Sequence, residues 1–386
     1  MTESSAYLIT QRYLNPDGSA EQHGGLQRYA RELSRLLASH GKACTIIQRA
    51  KADFERQIAP EVNVVGLRPL DGARGNATFN HRAHRLIPHD APVIYCVMEY
   101  TFPHIRKRSV AIQHGIWWDG RYSSLKQLVI RALNRRVLRK AQGVLCVDTN
   151  YINWCLSTFK DESLVISKCH YVPNFADPEQ FPHGPLPAVK STDGLPVVLC
   201  PRRCEEKRGV GLLFEACLRL WKSGERFRVV FCGKGDMQDH LARVAVQSGF
   251  TGLVEITDVP FDEMPKMYQR ADIVVIPTLR HEGTSLSCIE ALHMGKPVVT
   301  TYIGGLPNIV IPGFNGEMVP PAVEPMAEAM RRLLRDPKLR STYGEKAAYM
   351  GQSLGIDRWR SAVWTLLQLC LFDGAAQTGR EAVLAS

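Results

Sequence analysis

The sequence predicts an α/β protein built on parallel sheets, because short apolar strands alternate with amphipathic helices. Residues 7–12, 26–39 and 44–48 predict a strand, a helix and a strand, the βαβ unit of a parallel sheet. The pattern returns late in the chain, where apolar strands at 273–276 and 298–300 enclose a short helix. A chain of 386 residues is too long for one typical domain and fits two of similar size.

The composition is typical of a globular protein. Hydrophobic residues make up 45% of the chain, and no run approaches the ~20 apolar residues of a membrane-spanning helix. The polar N-terminus lacks the features of a secretion signal, so we expect a cytoplasmic protein. The 11 Cys are scattered without zinc-ligand spacing, which favours a reducing compartment and no metal site.

Positive charge is concentrated in the N-terminal half. The net charge is +10, and residues 1–180 contain 24 Lys and Arg against 16 Asp and Glu. A predicted amphipathic helix at 121–142 contains no acidic residue, and its apolar stripe comprises Leu125, Leu128, Val129, Ala132, Leu133, Val137 and Ala141. Its basic face is either a solvated surface or a patch for anionic lipid or a phosphorylated acceptor. Nucleic acid is disfavoured because no binding motif accompanies these charges.

Two loops of the N-terminal half contain candidate binding residues. Gly24 and Gly25 begin the first helix, where a ligand phosphate could approach the backbone, although a simple turn explains two glycines equally well. Further strands are predicted at 62–67 and 92–98. The strand at 109–113 ends in His114 and is followed by two Trp. A His at this place suits a sugar site, although a structural His is the commoner finding.

The C-terminal half follows a Pro-rich segment at 174–196, which we interpret as a linker. Its predicted strands are 195–201, 228–232 and 253–257, and its last helices are 324–335, 338–350 and 356–372. Glu282 and Glu290 stand on the loop and the helix after strand 273–276, so both can face one ligand at the carboxyl edge of the sheet.

Residues 282–305, E-G-T-S-L-S-C-I-E-A-L-H-M-G-K-P-V-V-T-T-Y-I-G-G, resemble the Glu-x7-Glu signature of retaining glycosyltransferases of family 4. The likeness covers nearly the whole chain and includes V-P-N-F-A-D at 172–177, which is similar to the V-P-N-G-V-D that ends the family's N-terminal domain. It implies the GT-B fold, in which two Rossmann-like domains face each other across a cleft. The implied parts are an acceptor-binding domain at 1–175, a linker at 176–196, a nucleotide-sugar-binding domain at 197–355, and a crossover helix and tail at 356–386.

The resemblance also implies a role for individual residues. Arg202 and Lys207 match the cations that clamp the donor diphosphate, and Glu290 matches the Glu that binds the ribose. His114 would brace the transferred sugar from one side and Glu282 from the other. The remaining implied donor contacts are Gly25, Gly233, Gly235, Val259, Gly283, Thr284, Ser285 and Leu286. The chain departs from the family pattern at Pro201, Asp258 and Asn308, where the family has Gly, Gly and Glu.

The expected reaction is transfer of a hexose, with retention, from a nucleotide-diphosphate sugar to a saccharide or lipid-linked saccharide in polysaccharide or lipopolysaccharide synthesis. No Asp-x-Asp occurs, so we expect no metal clamp and no cofactor, and we name no protein nucleophile. Peripheral binding to an anionic membrane through helix 121–142 is a further expectation. A GT-B sugar-nucleotide 2-epimerase and a non-catalytic sugar-nucleotide sensor remain alternatives, while a phosphorylase lacks its cofactor lysine motif here.

Overall fold

The N-terminal half forms an eight-stranded sheet in this computed structural model. The structure describes residues 5–21, 24–118, 123–185, 189 and 191–373. The strands are β1 (Ala6–Thr10), β2 (Cys44–Arg49), β3 (Phe54–Ala59), β4 (Val62–Leu67), β5 (Val93–Tyr95), β6 (Ser109–Gln113), β7 (Gly143–Cys146) and β8 (Cys169–Tyr171). Their spatial order is β3-β4-β2-β1-β5-β6-β7-β8. All neighbours are parallel except β3 and β4, which form an antiparallel edge that the sequence analysis did not predict.

Helices cover both faces of this sheet, as the βαβ pattern predicts. They are α1 (Gly25–Ser39), α2 (Gly75–Leu86), α3 (Ser124–Lys140), α4 (Thr149–Thr158) and α5 (Glu162–Lys168). Buried side chains of α1 pack on one face of the sheet, and those of α2, α3, α4 and α5 pack on the other. An apolar layer on each face of the sheet therefore holds the strands, and with them the loops at their carboxyl ends, in place.

The C-terminal half forms a second, six-stranded parallel sheet. Its strands are β9 (Val197–Cys200), β10 (Arg228–Cys232), β11 (Val254–Thr257), β12 (Ile273–Ile276), β13 (Val298–Thr301) and β14 (Gly316–Val319). Its helices are α6 (Val210–Lys222), α7 (Gln238–Ser248), α8 (Met264–Arg270), α9 (Leu286–His293), α10 (Val323–Arg335) and α11 (Pro337–Gln352). The order β11-β10-β9-β12-β13-β14 reverses between β9 and β12, and ligands bind at such a reversal in Rossmann-like sheets.

The last described helix returns to the first half, which confirms the predicted crossover. This helix, α12 (Ile356–Leu367), continues as a π-helical turn over Gln368–Phe372. Trp359 and Val363 are buried in the same apolar layer as Leu8 and Leu33 of the N-terminal half. The chain leaves the N-terminal half near Ala176 and returns to it near Ile356. Backbone hydrogen bonds from Ala176 N to Leu354 O (2.9 Å) and from Ile356 N to Ala176 O (2.9 Å) join these two segments. The predicted frayed tail beyond Asp373 lies outside the described residues.

The predicted apolar stripe of helix 121–142 is wrong in its first half. Residues 121 and 122 lie outside the described part of the chain. Val137 and Ala141 are buried as predicted, whereas α3 also buries Ile130 and Leu138, which the predicted stripe did not include. The side chains of Leu125, Leu128 and Val129 are 72%, 62% and 50% exposed. Helical spacing alone could not decide between two overlapping faces, because apolar residues occur on both.

No helix within the described residues combines the length and the apolar composition that a bilayer-spanning segment needs.

Candidate active site

The site lies where the carboxyl edges of the two sheets meet. Gly283, after β12, packs against the backbone of His114 and the side chain of Val147, which follow β6 and β7. A Cβ on Gly283 would lie 2.7 Å from Val147 Cγ2, and one on Gly115 would lie 2.9 Å from the Gly283 nitrogen. Thr284 completes the contact, because its hydroxyl donates to the Val147 carbonyl (2.9 Å). Small residues therefore let two main chains approach closely.

Glu282 is the centre of a buried cluster on the C-terminal side. Arg202, directly after β9, forms an ion pair with its carboxylate and also donates to Ser285 Oγ (2.8 Å). Arg208 Nη1 lies 2.9 Å from the same carboxylate oxygen, and the Thr278 hydroxyl donates to it at 3.1 Å. Two guanidinium groups thus share one carboxylate, so the cluster keeps one excess positive charge beside the start of α9. Desolvation and the neighbouring Arg202 lower the pKa of Arg208, which reflects this crowding.

The predicted Lys207 is not part of this cluster. Its side chain is 49% exposed, and its ammonium pairs with Glu205 at 3.0 Å. Arg208, which the sequence analysis missed, takes the inner position. Gly209 follows Arg208 directly, and its φ of +76° and close contact with the Pro277 carbonyl admit only glycine. The sequence alone did not distinguish the two adjacent cations, because both belong to the same basic loop.

Glu290 is buried, and residues of both domains contact it. Arg28 of α1 pairs with it at 2.6 Å, and the Tyr268 hydroxyl donates to its other oxygen at 2.7 Å. Burial first, and then the charge of Glu290, raise the pKa of Tyr268, so this phenol remains a donor. The guanidinium carbon of Arg28 lies 4.2 Å from the centre of the Phe261 ring. Sequence analysis missed Arg28, Tyr268 and Phe261, because their proximity to Glu290 arises only from folding.

His114 presents an unpartnered nitrogen at the domain boundary. Among the described residues its buried Nε2 has no hydrogen-bond partner, and its other nitrogen donates to the backbone of Cys96. The Tyr29 ring packs edge-on against the imidazole at 4.9 Å. Burial lowers the pKa of His114 to about 4, so the ring is neutral at pH 7. A neutral ring that donates through Nδ1 keeps Nε2 as an acceptor for a hydroxyl group.

The predicted glycines occupy close contacts in the two domains. Gly25 begins α1 opposite α9, and a Cβ on it would lie 3.2 Å from Leu286 Cδ1. Gly233, with φ +148°, and Gly235 lie against the backbone of Arg202 and Cys204. These two glycines place the β10 loop against the loop of Arg202. Val259 is partly buried in the apolar layer under α8.

The other predicted residues stand at the start of α9. Ser285 occupies the N-cap position and Leu286 is the first helical residue. Asn174 donates from its backbone nitrogen to the Thr284 hydroxyl at 2.9 Å. The substituted Asn308 accepts from Thr149 N (3.1 Å) and donates to Thr149 Oγ1 (2.7 Å), so it joins the two domains.

Asp148 is a buried carboxylate beside this cluster that sequence analysis did not select. One oxygen caps α4 by accepting from Tyr151 N (3.2 Å), while Oδ2 is buried and has no partner in the part of the chain that the structure describes. Burial raises the pKa of Asp148 to about 6, and the charge of Glu282 adds to this effect. Within the described residues, no group of three or more His, Cys, Asp or Glu side chains is arranged to hold a metal ion.

Comparison with known proteins places the chain in a family. Residues 187–350 match the family described as Glycosyl transferases group 1, and residues 23–180 match Glycosyltransferase Family 4. Alpha-D-kanosaminyltransferase from Streptomyces kanamyceticus is 32% identical over 158 residues, 40% of this chain and 41% of that protein. The amylovoran biosynthesis glycosyltransferase AmsK from Erwinia amylovora is 29% identical over 154 residues, 38% of this chain and 36% of that protein. The chain therefore spans less than half the length of these curated relatives.

The architecture matches solved structures over nearly the full chain. Sucrose-phosphate synthase from Thermosynechococcus elongatus superposes with a TM-score of 0.77 over 95% of this chain and 98% of that one. The sequence identity is 17%, so this likeness shows the fold. Together with the two family matches, which cover most of the sequence, it shows that the chain belongs to glycosyltransferase family 4 and has the GT-B fold.

Proposed function

We propose that the protein is a retaining glycosyltransferase that transfers a hexose from a nucleotide-diphosphate sugar to a saccharide or lipid-linked saccharide. The observation that carries the proposal is the Glu282 cluster at the start of α9, opposite the unpartnered Nε2 of His114. The relative in amylovoran biosynthesis supports an acceptor of the polysaccharide type.

The donor diphosphate fits the excess positive charge of Arg202 and Arg208. Guanidinium groups bind phosphate in bidentate fashion, and the N-terminus of α9 adds backbone donors. Glu290 would accept from the ribose hydroxyls, and Arg28 would then leave its pair with Glu290 and turn toward the phosphates. Glu282 and the N–H groups of Gly283–Leu286 would then hold the sugar.

The residues act on the transition state by charge and position. Negative charge develops on the leaving diphosphate, and Arg202 and Arg208 stabilise it in a site with little water. The leaving phosphate oxygen takes the acceptor's proton as the acceptor attacks on the same face. His114 accepts from a sugar hydroxyl and keeps the anomeric carbon in place. The proposal needs no metal and no cofactor besides the donor.

Ligand-induced changes in the melting temperature test this function. UDP, GDP, ADP and their sugar conjugates are added with and without EDTA, and the melting temperature is recorded. A ligand at a hundredfold excess over Kd stabilises the native state by about 2.7 kcal/mol. We expect one base to stabilise the protein, equally with EDTA, and its sugar conjugate to be consumed only with an acceptor.

Two other results would contradict the proposal. No shift with any nucleotide would remove the transferase function. Conversion of the donor to its 2-epimer without an acceptor would identify an epimerase instead.

We also propose that the start of α3 binds an anionic membrane near the acceptor side of the cleft. Leu125, Leu128 and Val129 are exposed on adjacent turns, and Arg131, Arg135 and Arg139 are exposed beyond them. Because α3 follows β6, its first turn lies at the same sheet edge as His114. Each cation near an anionic surface adds about 1 kcal/mol of binding free energy.

Sedimentation with lipid vesicles tests the membrane proposal. The protein should bind phosphatidylglycerol vesicles at low salt and ignore phosphatidylcholine. The double variant L125Q/L128Q should lose most of this binding, whereas L86Q, at an exposed Leu of α2, should retain it. Failure of the wild-type protein to bind anionic vesicles would overturn the proposal.

A further inference from the structure

A second group of cations occupies the carboxyl edge of the N-terminal sheet. Arg49 is the last residue of β2, and Arg12 follows β1 by two residues. These strands and β5 lie side by side next to β6, which ends at His114. With ~4.8 Å between neighbouring strands, the ends of β2 and β6 are about 14 Å apart. An acceptor saccharide that reaches the transferred sugar from this side would pass both Arg residues.

Arg49 and Arg12 converge on one phenol. Arg49 donates to Asn76 Oδ1 at 2.5 Å and also contacts Tyr100. Burial raises the pKa of Tyr100, and the positive charges of Arg49 and Arg12 partly oppose this rise. Arg49 N donates to Gln11 O at 3.3 Å, so Arg49 also lies beside the segment that contains Arg12. The two guanidinium groups are therefore close to each other and to the buried ring of Tyr100, which is 2% exposed.

No carboxylate forms an ion pair with Arg12, Arg49 or Arg68 within the part of the chain that the structure describes. Asp53 pairs with Arg82 instead. Glu99 accepts from the neutral Trp117 Nε1 at 2.7 Å and keeps its negative charge near Tyr100. It offsets one of the two guanidinium charges, so the Arg12–Arg49 group keeps one excess positive charge.

An open groove continues from the cluster. It has a volume of about 420 Å³ and is lined by the paired Asp53 and Arg82 and by Arg68, Leu70 and Asp71, so its own charges balance and the excess charge lies on the Arg12–Arg49 side. Leu70 O and Arg49 Nη2 both lie against Gly75, so the groove and the Arg pair adjoin. This volume falls in the range of small-molecule sites, about 300–1,000 Å³.

We propose that the acceptor is an anionic saccharide, whose phosphate or carboxylate group is held by Arg12 and Arg49. This inference rests on the proposed transferase function, because that function makes this edge of the sheet the acceptor side. It differs from the donor clamp, which binds its anion at Arg202 and Arg208 in the other domain.

Calorimetric titration of the full chain tests the subsite with inorganic phosphate, glucose 6-phosphate, glucuronic acid and glucose. We expect an anionic sugar to bind more tightly than glucose. The double variant R12Q/R49Q should weaken that binding by about a hundredfold, since each charged hydrogen bond contributes roughly a factor of ten or more. The phosphate and carboxylate sugars show which anion is preferred.

Three variants keep the result interpretable. R56Q, at an exposed Arg of β3, should bind like the wild type. R202Q should retain binding of the anionic sugar but lose the melting shift with nucleotides, which separates this subsite from the donor clamp. R12Q leaves the Asn76 contact intact, so it remains informative if R49Q impairs folding.

The proposal is overturned by any of three results. The first is that glucose binds as tightly as the anionic sugars. The second is that phosphate, glucose 6-phosphate and glucuronic acid all fail to bind at millimolar concentration. The third is that R12Q/R49Q binds the anionic sugars like the wild type. If nucleotides give no shift while R12Q/R49Q still abolishes anion binding, the transferase function fails and the anion subsite stands.

Discussion

At the scale of single residues, neighbours in the chain have different environments. Lys207 and Arg208 are adjacent cations, but only Arg208 reaches Glu282, because the backbone turns at Gly209. A basic loop therefore does not reveal which of its cations faces a ligand.

Replacing Arg208 by Ala should weaken the protein's action on its donor far more than replacing Lys207. Loss of a charge-assisted contact costs about 1.5–3 kcal/mol, or roughly ten- to a hundredfold in kcat/KM. K207A is the control, because its ammonium contacts only Glu205 among the described residues. The nucleotide affinity and kcat/KM of both variants decide the matter, and equal losses would show that the clamp extends to Lys207.

Asp148 should make the protein less stable as the pH rises. Its folded pKa of about 6 lies above the usual value of 3.8, so the native state binds the extra proton. The stabilising contribution is full below about 4 and disappears as the pH rises through 6. D148N keeps a good helix cap. Its melting temperature should exceed that of the wild type by an amount that grows between pH 5 and pH 8, and a constant difference would contradict the assignment.

At the scale of elements, α12 is a helix of the C-terminal half of the chain that is buried in the N-terminal core. Trp359 is 3% exposed and packs against Tyr29 at 5.1 Å, and Tyr29 in turn contacts His114. The last described helix therefore supports the ring that faces the site. Strand β3, by contrast, is an exposed edge strand. It has little apolar pattern, so the sequence analysis did not predict it.

W359A should destabilise the N-terminal half by about 3–5 kcal/mol, the usual cost of deleting a buried Trp. W364A, at a partly buried Trp stacked on His40, should cost clearly less. Urea unfolding followed by far-ultraviolet circular dichroism measures both variants. Equal losses of unfolding free energy in the two variants would mean that the more exposed face of α12 stabilises the protein as much as its buried face.

At the scale of the whole molecule, the domains meet through main-chain contacts at Gly283 and Gly115, and Gly305 lies against the side chain of Asp148. The Arg28–Glu290 pair and the Asn308–Thr149 hydrogen bonds cross the same boundary. These contacts bring the Glu282 cluster of one sheet to His114 of the other. In the proposed function, the geometry of transfer would depend on how closely the two sheet edges approach.

G283A should separate donor binding from transfer. Its Cβ would lie 2.7 Å from Val147 and 3.0 Å from the His114 carbonyl, so it holds the domains apart without touching Arg202 or Glu290. We expect nucleotide affinity to change by a few fold and the transfer rate to fall by about tenfold or more. G252A, with open space around its Cα, is the matched control. Unchanged transfer by G283A would contradict the importance of this contact.

The sequence by itself determined the two parallel sheets, the crossover helix and the family, because strands and helices have their own periodicities and the Glu282–Gly305 string is long and specific. It also selected Arg202, His114 and Glu290, which the structure brings to one boundary. Only the tertiary structure decided that Arg208 replaces Lys207 beside Glu282, that Arg28 and Tyr268 meet Glu290, and that α3 exposes three apolar residues. Those features depend on which loops and domains approach each other, and distances across hundreds of residues leave no local pattern in the chain.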